Sequence, residues 1–222
     1  DGNTFGLDVG THRVVNLHTQ EGCYIFDFQT PEITISNLKL PYPGKHNLMN
    51  AAAALALALE VGCDAATLRI GLATFKGVDR RFSLRMTSPK ILVDDYAHHP
   101  TEINAVVDAL ESFYPNKRKL GVFQPHLFSR TRDFANGFKE ALARFDEVLL
   151  LDIYPARELP MEGVTSQMLV AETHSNTALV SKTVLAQKVG NSTSEVVAIM
   201  GAGDIAFEVS NIMQTLKNQH HE

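Results

Sequence analysis

From Lys90 onward, short apolar runs alternate with longer amphipathic stretches, and this alternation constrains the fold more than any other feature of the chain. The runs lie near Ile91–Asp94, Leu120–Gln124, Val148–Asp152, Ala178–Val180 and Val196–Met200, and helical periodicity fills most of the gaps between them. Short segments that are apolar on both faces suit parallel strands covered by helices on both sides. The expectation is an α/β fold with a doubly wound, Rossmann-like, mostly parallel sheet. In such a sheet, chemistry collects beyond the carboxyl ends of the strands.

The upstream part reads differently. Arg13–Leu17, Cys23–Phe28 and Glu32–Leu38 are β-rich runs with period-two stretches, parted by Gln20-Glu21-Gly22 and Thr30-Pro31, and they predict an antiparallel meander. After Pro41-Tyr42-Pro43-Gly44, helices are expected over about Asn47–Val61, closed by Gly62, and over Ala65–Thr74. The loop Gly77-Val78-Asp79-Arg80-Arg81 then leads to a seam near Arg81–Leu84. Two domains are therefore expected, 1–82 and 83–222. Asp1 is no natural start, and the chain opens inside what reads as a sheet, so a fragment of a longer protein with a truncated first domain is expected.

The 222 residues are 45% hydrophobic, enough for one sizeable core or two small ones. A net charge of −5 gives no reason to expect nucleic acid as a partner. Cys23 and Cys63 stand far apart and outside any CxxC spacing, which favours a reducing, cytoplasmic setting. The apolar run Ala51–Leu59 stops at Glu60, well short of the roughly 20 residues that span a bilayer, and no signal peptide precedes it, so no membrane association is expected.

Four constellations carry candidate chemistry. Asp94-Asp95-Tyr96-Ala97-His98-His99-Pro100-Thr101-Glu102 follows a predicted strand, and Pro100 is well placed as the first residue of a helix carrying Ile103, Val106, Val107 and Leu110. Phe123-Gln124-Pro125-His126-Leu127-Phe128-Ser129-Arg130-Thr131-Arg132 repeats that design, so His126 and Arg130 should share a rim with His98, and an arginine there suits a carboxylate. Asn47 and Asn50, three apart at a helix start, can present two amides to a nucleotide. Arg80 and Arg81 offer fixed positive charge to a polyphosphate. Each has a blander reading: Asp, His and Thr as helix caps, Asn47 as an N-cap, the arginines as structural ion-pair partners.

Two further groups are weaker. Gly201-Ala202-Gly203-Asp204 departs from GxGxxG because position 206 is Ala, and a tight turn admitting a ligand to the backbone is the better reading. His98, His99, His126 and Asp95 lack a metal-ligand spacing such as HExxH, so no metal site is assigned. His220-His221 reads as a frayed tail.

In order along the chain, GKHNLMNAAAA, FKGVDRRF, VDDYAHHPTEI, FQPHLFSRTRDF and GAGDI resemble the Mur ligases that build the peptidoglycan peptide stem, over nearly the whole length. Tyr96 and Glu102 favour the alanine-adding branch over the branch that recycles murein tripeptide. The resemblance implies the end of a central ATPase domain followed by the complete C-terminal domain. It implies ATP and Mg2+ as cofactors, with most metal ligands upstream, and UDP-N-acetylmuramate and L-alanine as substrates joined through an acyl phosphate.

On the matched positions the resemblance places Asn47, Asn50, Arg81 and Asp95 at ATP, and Tyr96, His98, His126 and Arg130 at the amino acid and acyl phosphate. His98, His126 and Arg130 are the expected catalytic residues. No GxxxxGK[ST] loop is present, so the chain alone is expected to be inactive. Several family members carry Arg where Leu127 stands, which removes one expected positive charge. The rivals are a murein-tripeptide ligase and a noncatalytic nucleotide-binding module; the oligomeric state stays open.

Overall fold

The computed structural model describes residues 2–20, 22–170 and 176–220, the last without its side chain; Asp1, Glu21 in the first turn and His221 in the tail lie outside the described residues. The chain forms two compact units, Asp1–Gly77 with Asp108–Phe113, and Val78–Val107 with Tyr114–Glu222.

In the first unit, β1 (Phe5–Leu7), β2 (His12–Gln20), β3 (Cys23–Gln29) and β4 (Thr34–Leu40) form one sheet in that order. The expected meander is β2–β3–β4, antiparallel throughout. The three-residue β1 was not expected; it pairs parallel to β2 and is too short to carry a periodic signal. Both antiparallel ladders shift register, and the left-handed Asn16 and Asn37 sit beside the shifts. Asp27 accepts the Asn16 side-chain amide at 2.7 Å and the Asn37 N–H at 2.8 Å, which fastens both irregularities to the central strand.

α1 (Lys45–Glu60) begins two residues before the expected start, at Gly44 with φ 100°, and Gly62 at φ 87° follows its end. Leu48, Ala51, Ala52, Leu55 and Ala56 pack with Phe26, Phe28, Leu38 and Leu40 into the core of this unit. The alanine run serves close packing of helix on sheet. α2 (Ala65–Thr74) matches its expected bounds and starts on an Asp64 cap that accepts the Thr67 N–H at 2.9 Å.

The second unit is a six-stranded sheet built from β5 (Ser83–Met86), β6 (Ile91–Asp95), β7 (Lys119–Phe123), β8 (Glu147–Leu150), β9 (Asn176–Leu179) and β10 (Val196–Met200), in the order β5-β6-β10-β7-β8-β9. All neighbours run parallel except β5, which is antiparallel to β6. The mixed α/β fold with a parallel-rich sheet is thus as expected, and β5 is an addition: four residues with Arg85 among them gave no apolar run. The helices are α3 (Pro100–Phe113), α4 (Phe128–Asp133), α5 (Ala135–Leu142), α6 (Lys182–Asn191) and α7 (Glu208–His220). A 3-10 turn, Asp204–Phe207, precedes α7.

Leu92, Leu120, Val122, Leu149, Val197 and Ile199 from the strands pack with Leu185, Val189, Ile212 and Leu216 from the helices. β10 lies between β6 and β7, so successive strands part on either side of it, and Met200 stands level with both Asp95 and Phe123. The strand order reverses at β10, the switch point of the sheet, and the loops after β6 and β7 meet across its end, with His98 6.1 Å from His126 and His99 4.6 Å from Phe134.

Candidate functional site

Asp94 and Asp95 close β6 with their carboxylates buried, at 1% and 7% exposure. A buried charge needs partners, and each has them. Asp94 accepts Arg80 Nε at 3.2 Å and Arg85 Nη2 at 2.8 Å. Asp95 accepts the Phe82 N–H at 2.6 Å and the Ala97 N–H at 2.7 Å, so its two oxygens tie the Arg81-Phe82 loop to the Tyr96-Ala97-His98 turn. Burial pushes the Asp95 carboxyl upward, against the pull of those two donors and Arg81. Asp95, expected beside the nucleotide, is in this structure a scaffold for the rim.

Arg80 and Arg81 divide their duties. Arg80 Nη2 donates to the Gly201 carbonyl at 2.5 Å, so this guanidinium joins the ends of β6 and β10. Arg81 is half exposed and approaches Glu102 at 3.8 Å. Both guanidinium groups lie over the Tyr96 ring, at 5.2 and 5.8 Å. The motif alone offered both to a polyphosphate and the resemblance named Arg81, which is the more exposed of the two.

From Tyr96 the aromatic groups run in file across the switch point. Tyr96 meets His98 edge-on at 5.3 Å, His98 and His126 are 6.1 Å apart, and His126 stacks on Tyr154 at 5.6 Å. His98 Nδ1 is 2.9 Å from the Tyr96 carbonyl, an acceptor, so Nδ1 carries the proton and the Nε2 of the neutral ring holds its lone pair. His126 Nδ1 faces Arg130 Nη1 at 3.5 Å; arginine only donates, so Nδ1 accepts and Nε2 carries the hydrogen. Burial, then Arg130 and His98, hold the His126 imidazole below its usual range, so it is neutral at pH 7.

α4 places Arg130, and its start is built with care. Leu127 adopts φ 74°, a conformation costly for a branched side chain, and is held there by its N–H to the Tyr154 carbonyl at 2.9 Å. Thr131 returns both its N–H and its hydroxyl to the Leu127 carbonyl. Glu158 accepts the Ser129 N–H and hydroxyl, capping the helix. Arg132 points away, paired with Asp133 at the surface.

The structure thus gathers Arg81, Asp95, Tyr96, His98, His126 and Arg130 in the second unit, while Asn47 and Asn50 stand on the first two turns of α1 in the first. Asn50 is exposed; the Asn47 amide donates to the Pro43 carbonyl at 2.6 Å. His99 turns aside onto Phe134, 4.6 Å between rings, and among the described residues no three His, Cys, Asp or Glu side chains stand together as a metal site. A Cβ on Gly203 would meet Gln124 and Tyr154 at 2.7 Å, and one on Gly201 the Gln124 carbonyl at 2.9 Å. Those glycines make room for neighbouring protein. Tyr154 was missed by sequence reasoning, although it too follows a strand. It also borders a cavity of about 400 Å³ lined by Gln124, Leu151, Val180, Lys182 and Asp204.

Comparison with known proteins accords with this geometry. The chain is 49% identical over 222 residues to the UDP-N-acetylmuramate–L-alanine ligase of Christiangramia forsetii, covering 99% of this chain and 49% of the relative. It is 52% identical over 203 residues to the ligase of the same name from Flavobacterium psychrophilum, covering 90% and 45%. The chain therefore spans about half the length of the curated relatives it matches. Among solved structures, the UDP-N-acetylmuramate–alanine ligase of Thermotoga maritima superposes with a TM-score of 0.79 at 26% identity, over 99% of this chain and 48% of that one. A murein peptide ligase from Psychrobacter arcticus shares the fold at a TM-score of 0.61 and 19% identity, over 96% and 46%. The family described as "Mur ligase, glutamate ligase domain" matches residues 80–205, more than half of the sequence, and the chain belongs to the Mur ligase family.

Proposed function

We propose that this chain is the carboxyl-terminal part of an ATP-dependent ligase that joins L-alanine to the lactyl carboxylate of UDP-N-acetylmuramate in peptidoglycan precursor synthesis. The observation that carries the reading is the file Arg81, Tyr96, His98, His126, Arg130 across the switch point. It has an available cation at one end, a guanidinium suited to a carboxylate at the other, and two imidazoles between. The names of the relatives at 49% and 52% identity support alanine as the amino acid.

In this reaction the lactyl carboxylate takes the terminal phosphoryl group of ATP and ADP leaves. The amine of alanine then attacks the acyl phosphate, forming the amide, releasing phosphate and giving up a proton. Arg81 neutralises phosphate charge, and Arg130 holds the alanine carboxylate in a two-bond fork. The Nε2 lone pair of His98 takes a proton from the alanine ammonium, freeing the nucleophile. The Nε2–H of His126 donates to an oxygen of the acyl phosphate, and Tyr96 walls the site. Positioning and charge neutralisation supply most of the acceleration.

Asn47 and Asn50 serve the nucleotide side, and Asp95 acts there through the backbone it holds. The carboxylates at the end of β6 are committed to arginines and backbone donors, so Mg2+ belongs to groups beyond these residues. Residues 1–82 correspond to the end of the ATPase domain, and the reaction belongs in the cytoplasm.

The test is phosphate release by a full-length enzyme that carries this chain, with ATP, magnesium and UDP-N-acetylmuramate, across alanine, glycine, serine and murein tripeptide. Alanine-dependent release supports the reading. A tripeptide preference moves it to the recycling ligase, and no acceptor-dependent release from folded enzyme leaves a binding module. The chain alone, without a GxxxxGK[ST] loop, is expected to release none.

A further inference from the structure

Glu102 stands in the first turn of α3, where a carboxylate is favoured by the exposed N–H groups of the helix start. Its side chain does two things at once. Oε2 accepts the His98 N–H at 2.9 Å, with His98 Nδ1 3.4 Å away, and Oε1 faces Arg81 Nη1 at 3.8 Å. The bond to the His98 backbone is short and directional. The approach to Arg81 is long and lies where the two side chains are 49% and 33% exposed, so it holds the guanidinium loosely. Asp95 also lies close enough to repel it.

From this asymmetry we infer that Glu102 is the positioning residue that links the nucleotide side of the site to the amino-acid side. One oxygen fixes the turn that carries His98. The other keeps Arg81 at the rim and competes for it until a polyphosphate draws it away. The inference rests on the ligase reading above, with Arg81 on phosphate and His98 on the amine.

Glu102→Gln and Glu102→Ala separate the two duties in a full-length enzyme that carries this chain, with KM for ATP, KM for alanine and kcat read from phosphate release. The Gln variant keeps a neutral acceptor for the His98 N–H but no longer competes for Arg81. Its KM for ATP should fall about two- to fivefold, the range for losing one exposed ion pair, with KM for alanine unchanged. The Ala variant removes the acceptor as well, so kcat should fall about tenfold or more. A purely structural Glu102 would weaken both substrates together. A KM for ATP that rises or stays level in the Gln variant overturns the inference, as does equal kcat in the two variants. If the Ala variant does not fold, the Gln variant alone decides through its KM for ATP. Failure of the wild-type enzyme to use alanine would instead count against the ligase reading.

Discussion

Arg80 and Arg81 are consecutive in sequence and opposite in use: the Arg80 guanidinium is pinned between the Asp94 carboxylate and the Gly201 carbonyl, while that of Arg81 is half exposed. Left-handed backbone at Arg80 and Phe82 brackets Arg81 and lets one short loop supply both a buried, structural cation and an exposed one. The loop is held from the other side by Asp95, through the Phe82 N–H. One aspartate of β6 thus fixes the buried arginine, and the other fixes the backbone beside the exposed one.

Substitution should expose that division. Arg80→Ala leaves Asp94 to Arg85 and frees the Gly201 carbonyl, a loss of about 1–3 kcal/mol. Arg81→Ala removes a solvent-screened pair and should change stability by no more than about 0.5 kcal/mol, while raising KM for ATP. Denaturant unfolding of both variants checks the first half, and equal destabilisation would abolish the distinction.

Gly203→Ala tests whether the turn after β10 supports the rim. Its added methyl meets Gln124 and the Tyr154 ring at 2.7 Å, and Tyr154 is the ring on which His126 stacks. Overpacking of this kind costs about 1–3 kcal/mol. The prediction is a lower melting temperature together with a lower kcat. A kcat equal to wild type in folded enzyme would detach the turn from the site.

Much of this was legible in the sequence because β6, β7, β8 and β10 are apolar on both faces, and the ends of β6 and β7 carry polar groups in repeated order. Periodicity reports exposure, so it found the strands and the residues beyond them. It did not find β1 or β5, whose three and four residues complete no period. Nor did it separate Arg80 from Arg81, or turn Asp95 inward, since those depend on φ angles and backbone donors that composition does not encode. Glu102 stood in the quoted motif, yet its bond to His98 requires the first turn of α3 to exist.

The neutral state of His126 makes a prediction about acid. Its folded-state pKa lies below that of the unfolded chain, about 6.5, because burial, Arg130 and His98 all resist a second proton. A depressed value means that the unfolded state takes up the proton first, so the contribution is complete above about 6.5 and is lost as pH falls from there toward the folded value. His126→Gln should therefore flatten the decline of stability between neutral and mildly acidic pH. Parallel stability profiles for wild type and variant would mean that His126 titrates as an exposed imidazole.

Arg130 and Asn50 offer the cleanest pair for separating the two substrates. Arg130 reaches the rim from α4 with His126 on one side and Glu158 nearby, and a charge-assisted bond to a carboxylate contributes about 1.5–3 kcal/mol. Arg130→Ala should raise KM for alanine roughly tenfold to a hundredfold and leave KM for ATP near its wild-type value. Asn50 is exposed on the second turn of α1, where its amide can meet a nucleotide, and Asn50→Ala should show the reverse pattern. Steady-state kinetics on both variants of the full-length enzyme supply the comparison. If Arg130→Ala changes the two constants equally, the guanidinium does not hold the alanine carboxylate; if Asn50→Ala leaves ATP kinetics intact, that amide does not touch the nucleotide.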